Sequence, residues 1–319
     1  MFHHKKSFDL SIEAIADQCC EPGVRKVGAS PNRMQFVNDH RPKKASQKLD
    51  ELLQNLNLPR GEDRQKFFRV VDFHGMSVSS EVIENQLLNV WISLETITPS
   101  DPRSTKIDNV TSGITPFIGL NYTRRLFERL AFDLIRWNRP VVSRLLKEVE
   151  APRGHSLIEK IARLIVLEKN EPILAKLLAM LEDFELLRFR TYQFKEQFKT
   201  PKKVIEYVRN HQCRVEWQIR RIYRTRNAIV HSGETPEYTQ MLVENAHDYF
   251  DQVFELSCKL CSGGNGFYSF KECFDYTKWQ YGKYMNDLAK APEFDQSNIG
   301  LLLWGRQKPP SKADFFADG

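Results

Sequence analysis

Residues 222 to 233 read IYRTRNAIVHSG, and two of them, His231 and Arg226, carry side chains suited to moving protons and holding charge. Histidine exchanges protons near neutral pH, and arginine stabilises developing negative charge through charge-assisted hydrogen bonds. Such a set is matched to RNA cleavage without a metal. A proton must leave the ribose 2′-OH, another must reach the departing 5′-oxygen, and the phosphorane charge must be held. The nucleophile then belongs to the substrate, so no Ser or Cys nucleophile is required, and DNA should resist.

The elements that position these groups can be read from periodicity. Val215, Ile219, Ile222 and Ile229 form one helical stripe, and Arg226 falls on it where an apolar residue is expected. An unpaired buried guanidinium costs several kcal/mol, so either the stripe is broken at 226 or Arg226 faces a polar cleft, an interface or a buried partner. His231 precedes Ser232-Gly233, where the helix should end. Arg226 and His231 lie about 140° apart around a regular helix. One copy aligns them poorly, whereas a twofold contact brings a His from one chain beside an Arg from the other, so a homodimer is expected. Glu95 continues the stripe of Leu88 and Trp91, and a carboxylate there is expected to orient Arg226 or His231; the plainer reading is a partly exposed Glu near a helix end. Residues 202 to 231 also concentrate Lys202, Lys203, Arg209, Arg214, Arg220, Arg221, Arg224 and Arg226 against two acids, Glu206 and Glu216. Arg221, Tyr223 and Arg224 are candidate RNA contacts through phosphate attraction and base stacking.

The surrounding chain predicts an all-α fold. Helices are expected at about residues 80 to 97, begun by Ser79 or Ser80, and 106 to 137, bent or split at Pro116. More are expected at 139 to 149, 155 to 168, 173 to 197, 202 to 230 and 235 to 260, the last with Thr235 as N-cap and Pro236 at the first helical position. No run of alternating β-branched residues predicts a strand. Residues 1 to 62 are polar and broken by Pro22, Pro31, Pro42 and Pro59, with the basic loop Arg41-Pro42-Lys43-Lys44, and read as a small N-terminal module. A helical domain over 63 to 262 follows. Residues 262 to 266 form a Gly-rich joint, and the C-terminal helical extension over 263 to 319 opens with aromatics that must pack on the domain or on a second copy.

Composition sets the outer bounds. The 319 residues are 41% hydrophobic and 28% charged, ordinary for a soluble globular protein, and the net charge of +6 favours an acidic partner. The six cysteines lack the density of a disulfide scaffold, and MFHHKKSFDL has no apolar signal core, so a reducing, cytoplasmic setting is expected. No apolar run approaches the roughly 18 residues of a membrane span, so no membrane partner is expected. Cys258, Cys261 and Cys273 could supply three zinc ligands, but no fourth stands at a usual spacing and Cys258 falls on an apolar helix face, which favours core packing.

Arg226-Asn227-Ala228-Ile229-Val230-His231, preceded by QLLNVWISLETI at 86 to 97 and KIDNVTSGITPFIGLNYTRRL at 106 to 126, resembles the Apea-like branch of the HEPN superfamily over roughly residues 64 to 260. The resemblance implies a HEPN-like helical bundle acting as a metal-independent endoribonuclease, with no cofactor. It implies that Arg226 and His231 are catalytic and that Asn227 supports their geometry. A toxin or antiphage-defence effector, restrained by a regulatory or antitoxin partner, would follow. Some HEPN toxins carry a modified Tyr two residues after the histidine; Gly233 stands there, so that form of neutralisation is not expected. The alternative within the superfamily is a non-catalytic module that binds nucleotides or a protein partner.

Overall fold

The computed structural model describes residues 13–17, 24–28, 47, 50–51, 53–59, 61–151, 155–182, 184–262 and 266–303. The basic loop at 41 to 44 and most of the N-terminal module lie outside them. The fold is all-α in its body, with nine α-helices from residue 62 onward among the described residues: α1 (Glu62–Ser79), α2 (Ile83–Ile97), α3 (Lys106–Glu148), α4 (Leu157–Val166), α5 (Glu171–Met180), α6 (Glu185–Phe198), α7 (Pro201–Ser232), α8 (Thr239–Leu260) and α9 (Phe270–Lys290). One antiparallel hairpin corrects the expectation of no strands: β1 (Glu13–Asp17) pairs with β2 (Val24–Gly28) in the register Glu13↔Gly28 to Asp17↔Val24.

Two apolar cores are joined end to end by three long helices. One core gathers α1, α2, the first part of α3, the second half of α7, α8 and the start of α9, around Trp91, Phe117, Ile219, Ile222 and Phe250. The other gathers the rest of α3, α4 to α6, the start of α7 and the end of α9, around Phe127, Leu134, Phe198, Val208 and Tyr284. The aromatic segment after the Gly-rich joint therefore packs on its own chain, with Phe270, Cys273 and Phe274 in the first core and Tyr284 and Leu288 in the second. Most of these aromatics pack within one chain, whereas Tyr268 stays 52% exposed. At Gly119 on α3 a Cβ would meet the Tyr281 ring at 2.6 Å, and the Tyr281 hydroxyl donates to Gln212 Oε1 at 2.7 Å. Glycine thus permits α3, α9 and α7 to close on one another.

Several boundaries move for identifiable reasons. The break expected at Pro116 falls instead at Asn138, which has φ −158° and ψ 90° and whose Oδ1 accepts from the Val141 amide at 3.1 Å. Pro140 has no amide to continue the hydrogen-bond ladder and its ring crowds the carbonyl four residues back, and the Asn138 side chain caps the renewed helix. The single helix expected over 173 to 197 is two, α5 and α6. The buried row of Leu174, Leu177 and Leu181 and that of Leu187, Thr191, Phe194 and Phe198 are about 100° out of phase on one continuous helix, and the turn between them brings both to the core. The helix expected from Thr235 begins at Thr239 after Tyr238, because the Thr235 side chain is engaged by Glu84 and a turn closes from the Thr239 amide to the Pro236 carbonyl at 3.0 Å.

Candidate active site at the end of helix α7

Helix α7 starts and stops where its sequence dictates. The Thr200 side chain accepts from the Lys203 amide with Pro201 in the first turn, and Gly233 closes the helix at φ 70° with its amide bonded to the Ile229 carbonyl at 3.2 Å. Its buried row is Val215, Ile219, Ile222 and Thr225. Thr225, 3% exposed, holds the position nearest the core, and Arg226 beside it is half-buried at the edge of the packed row. The charge on the stripe is accommodated because the helix is leaving the core there.

The Arg226 guanidinium donates from Nη1 to Asn227 Oδ1 at 3.0 Å. Its Nε is buried and has no hydrogen-bond partner among the described residues. Such a donor costs about 1–3 kcal/mol while unmatched, which a phosphate oxygen or a partner's acceptor would recover. His231 is exposed in the last turn. Arg226 and His231 do not bond to each other within one chain; five residues of helix set them about 7.5 Å apart along the axis and on opposite sides of it. Val230, 49% exposed, adds apolar surface beside His231, whereas the Tyr238 ring lies against the Arg221 guanidinium.

Glu95 lies elsewhere. Tyr223 meets Trp91 with ring centroids 5.5 Å apart, and Glu84 in the first turn of α2 is bonded to Thr235 just beyond α7. These two contacts make α2 and α7 antiparallel, so Glu95 sits level with residue 219, roughly 10 Å along the axis from Arg226 and 18 Å from His231. Among the described residues no hydrogen bond or ion pair joins Glu95 to either. The carboxylate that stands at the His231 end of α7 is Glu84, held below the usual carboxylate range by the Thr235 hydroxyl. The periodicity of α2 gave Glu84 no special place, and only the antiparallel docking reveals it.

The RNA-contact candidates also separate. Tyr223 is half-buried against Trp91. Arg221 and Arg224 are exposed, the former with its guanidinium 3.9 Å from the Tyr238 ring centre. The exposed aromatic is Trp217, 81% exposed. Trp217, Arg221, Arg224 and His231 follow one another at spacings of four, three and seven, so a single solvent face of α7 carries a stacking platform, two cations and the imidazole along about 21 Å of axis. The same helical arithmetic that located Arg226 was available to find Trp217 in the sequence. Arg220 is instead tied to Asp108 at 2.8 Å, and Glu216 accepts from Gln212, so the i, i+4 pairing of Glu216 with Arg220 does not form.

Further along α7, His211 stacks flat on Tyr122 of α3 with ring centroids 3.5 Å apart. Burial, then the charges of Arg214 and Arg125, push His211 down to about 4. Arg125 in turn grips Asp248 of α8 with both Nη atoms, at 3.0 and 2.5 Å. This cluster ties α3, α7 and α8 together. Cys258, Cys261 and Cys273 are buried in the core, with the Sγ atoms of Cys261 and Cys273 3.3 Å apart; the grouping of three metal-ligating side chains among the described residues is His74, His247 and Asp251, on α1 and α8. No described helix is long and apolar enough to cross a membrane.

No protein-family model matches the chain, and the searches of curated proteins and of solved structures return no match either.

Proposed function

We propose that the protein is a metal-independent endoribonuclease that cleaves single-stranded RNA through the 2′-OH, using His231 for proton transfer and Arg226, oriented by Asn227, for the phosphorane charge. The observation that carries this reading is the solvent face of α7, where Trp217, Arg221 and Arg224 lead to His231. Stacking on an exposed indole and attraction to spaced guanidiniums is how proteins hold an unpaired strand. A duplex hides its base faces and would not engage Trp217.

The working unit is proposed to be a homodimer. A single chain sets Arg226 and His231 about 140° apart around α7, and the exposed Val230 offers apolar surface next to the histidine. Two copies meeting there would set each His231 beside the other chain's Arg226. Its cellular role, as the HEPN resemblance implies, is that of a toxin or antiphage-defence effector under the control of a regulatory partner.

The competing reading is a non-catalytic module in which Arg226 serves the fold, favoured by the same separation of Arg226 from His231 within one chain. Purified protein incubated with total RNA in EDTA, below its melting temperature, separates the two. Cleavage that disappears in a folded His231→Ala protein supports the nuclease; RNA binding without cleavage supports the module.

A further inference from the structure

His74 on α1 and His247 on α8 are 173 positions apart in the chain, and their Nε2 atoms face each other at 2.9 Å. Asp251 follows His247 by one helical turn, and its Oδ1 lies 3.5 Å from the His247 Nε2 and 3.9 Å from the His74 Nε2. A point equidistant from three atoms at these separations is about 2.0 Å from each, the bond length of Zn²⁺ to an imidazole nitrogen or a carboxylate oxygen.

We propose that His74, His247 and Asp251 form a binding site for one divalent transition-metal ion of the zinc class. Two imidazoles and a carboxylate suit a borderline cation, whereas Mg²⁺ and Ca²⁺ favour all-oxygen sets. The i, i+4 spacing places His247 and Asp251 on one face of α8, and His74 reaches them from α1 with its ring stacked on Phe250, centroids 4.7 Å apart. Ring positions fixed by packing are what a preformed site requires. The site is open on one side: the His247 side chain is 5% exposed, but those of His74 and Asp251 are 28% and 47% exposed. The equidistant point lies in the plane of the three ligand atoms, so an ion there completes its shell with water from the solvent-facing side. Two imidazole nitrogens 2.9 Å apart need either a proton between them or a cation to the side that both can reach. The proton gives a direct His74–His247 hydrogen bond, which is the rival account. With the cation, the ion clamps α1 to α8 and adds to stability in proportion to its binding.

The test uses the full chain stripped by chelator and dialysed, titrated with Zn²⁺ and separately with Co²⁺ for its visible spectrum. The expected result is a visible Co²⁺ absorption displaced by Zn²⁺, and a melting temperature that rises with Zn²⁺. Loss of partners that only support metal ligands costs about 10–100-fold in affinity, so His74→Ala and Asp251→Asn should each weaken this site by more than about 100-fold. His3 and His4 are kept in both variants, so ions bound there do not follow the substitutions. If Zn²⁺ and Co²⁺ titrate the wild type no differently from folded Asp251→Asn and His74→Ala proteins, the metal site is overturned and the histidines are simply hydrogen-bonded.

Discussion

Arg226 donates from Nη1 to the side-chain oxygen of its sequence neighbour Asn227, 3.0 Å away, and so the two act as one unit at the edge of the core. A hydrogen bond to a charged group contributes about 1.5–3 kcal/mol, so Asn227→Ala should lower kcat by about 10–100-fold while KM for RNA changes little. The Arg226→Ala, Asn227→Ala double variant should be no slower than Arg226→Ala alone. Additive losses in that cycle would mean that Asn227 acts independently of the guanidinium.

Trp217 projects from α7 into solvent on the face that carries His231, so Trp217→Ala should leave the melting temperature nearly unchanged. Affinity for a short unpaired RNA should fall by the equivalent of one stacked base, about 1–3 kcal/mol. Trp217→Phe should recover part of it, and duplex RNA should be indifferent to either change. Fluorescence anisotropy with single- and double-stranded probes reads all three; equal losses on both probes would reject the stacking role.

The opposed orientations of Arg226 and His231 lead to a complementation experiment. Arg226→Ala chains and His231→Ala chains, each inactive alone, should regain activity when mixed and exchanged, because one composite cleft then contains an intact Arg and an intact His. Sedimentation of the wild type should give twice the 37.3 kDa chain mass. A monomer that retains full activity at every concentration eliminates the composite cleft.

His211 sets a pH limit on the fold. Its folded value is pushed down to about 4 by burial and by Arg214 and Arg125, against 6.5 for the free side chain. Between these values the unfolded chain binds a proton that the folded chain does not. Its contribution is therefore fully present above pH 6.5 and is lost as pH falls toward 4, on the order of 3 kcal/mol in all. His211→Phe keeps a ring against Tyr122 and removes the titration, so its denaturation midpoint should fall less than that of wild type between pH 6.5 and 4. Parallel pH profiles would show that other groups carry the acid sensitivity.

What the sequence made legible were features fixed by near neighbours. Pro201 and Gly233 bound α7 because a ring at the first turn and a left-handed residue at the last are local requirements. The half-burial of Arg226, the approach of Glu84 rather than Glu95, and the turning of Tyr223 onto Trp91 depend on how α2 docks against α7, which no local pattern encodes. The His74 and His247 pair is beyond periodicity altogether, since residues 173 positions apart carry no shared helical phase. Periodicity does not mark helix α1 because its fully buried apolar residues, Phe67 and Val70, are few and its exposed Phe68 and Met76 blur the stripe.

The central claim, that His231 transfers protons in cleavage through the ribose 2′-OH, is most directly tested by the products formed from a short single-stranded RNA in EDTA. Wild-type protein is predicted to leave 2′,3′-cyclic phosphate and 5′-hydroxyl ends, to stop at a single 2′-deoxy substitution at the cleaved position, and to lose the reaction in a His231→Ala variant whose circular dichroism is unchanged. A folded His231→Ala protein that cleaves at the wild-type rate, or cleavage that passes the 2′-deoxy position, would contradict it.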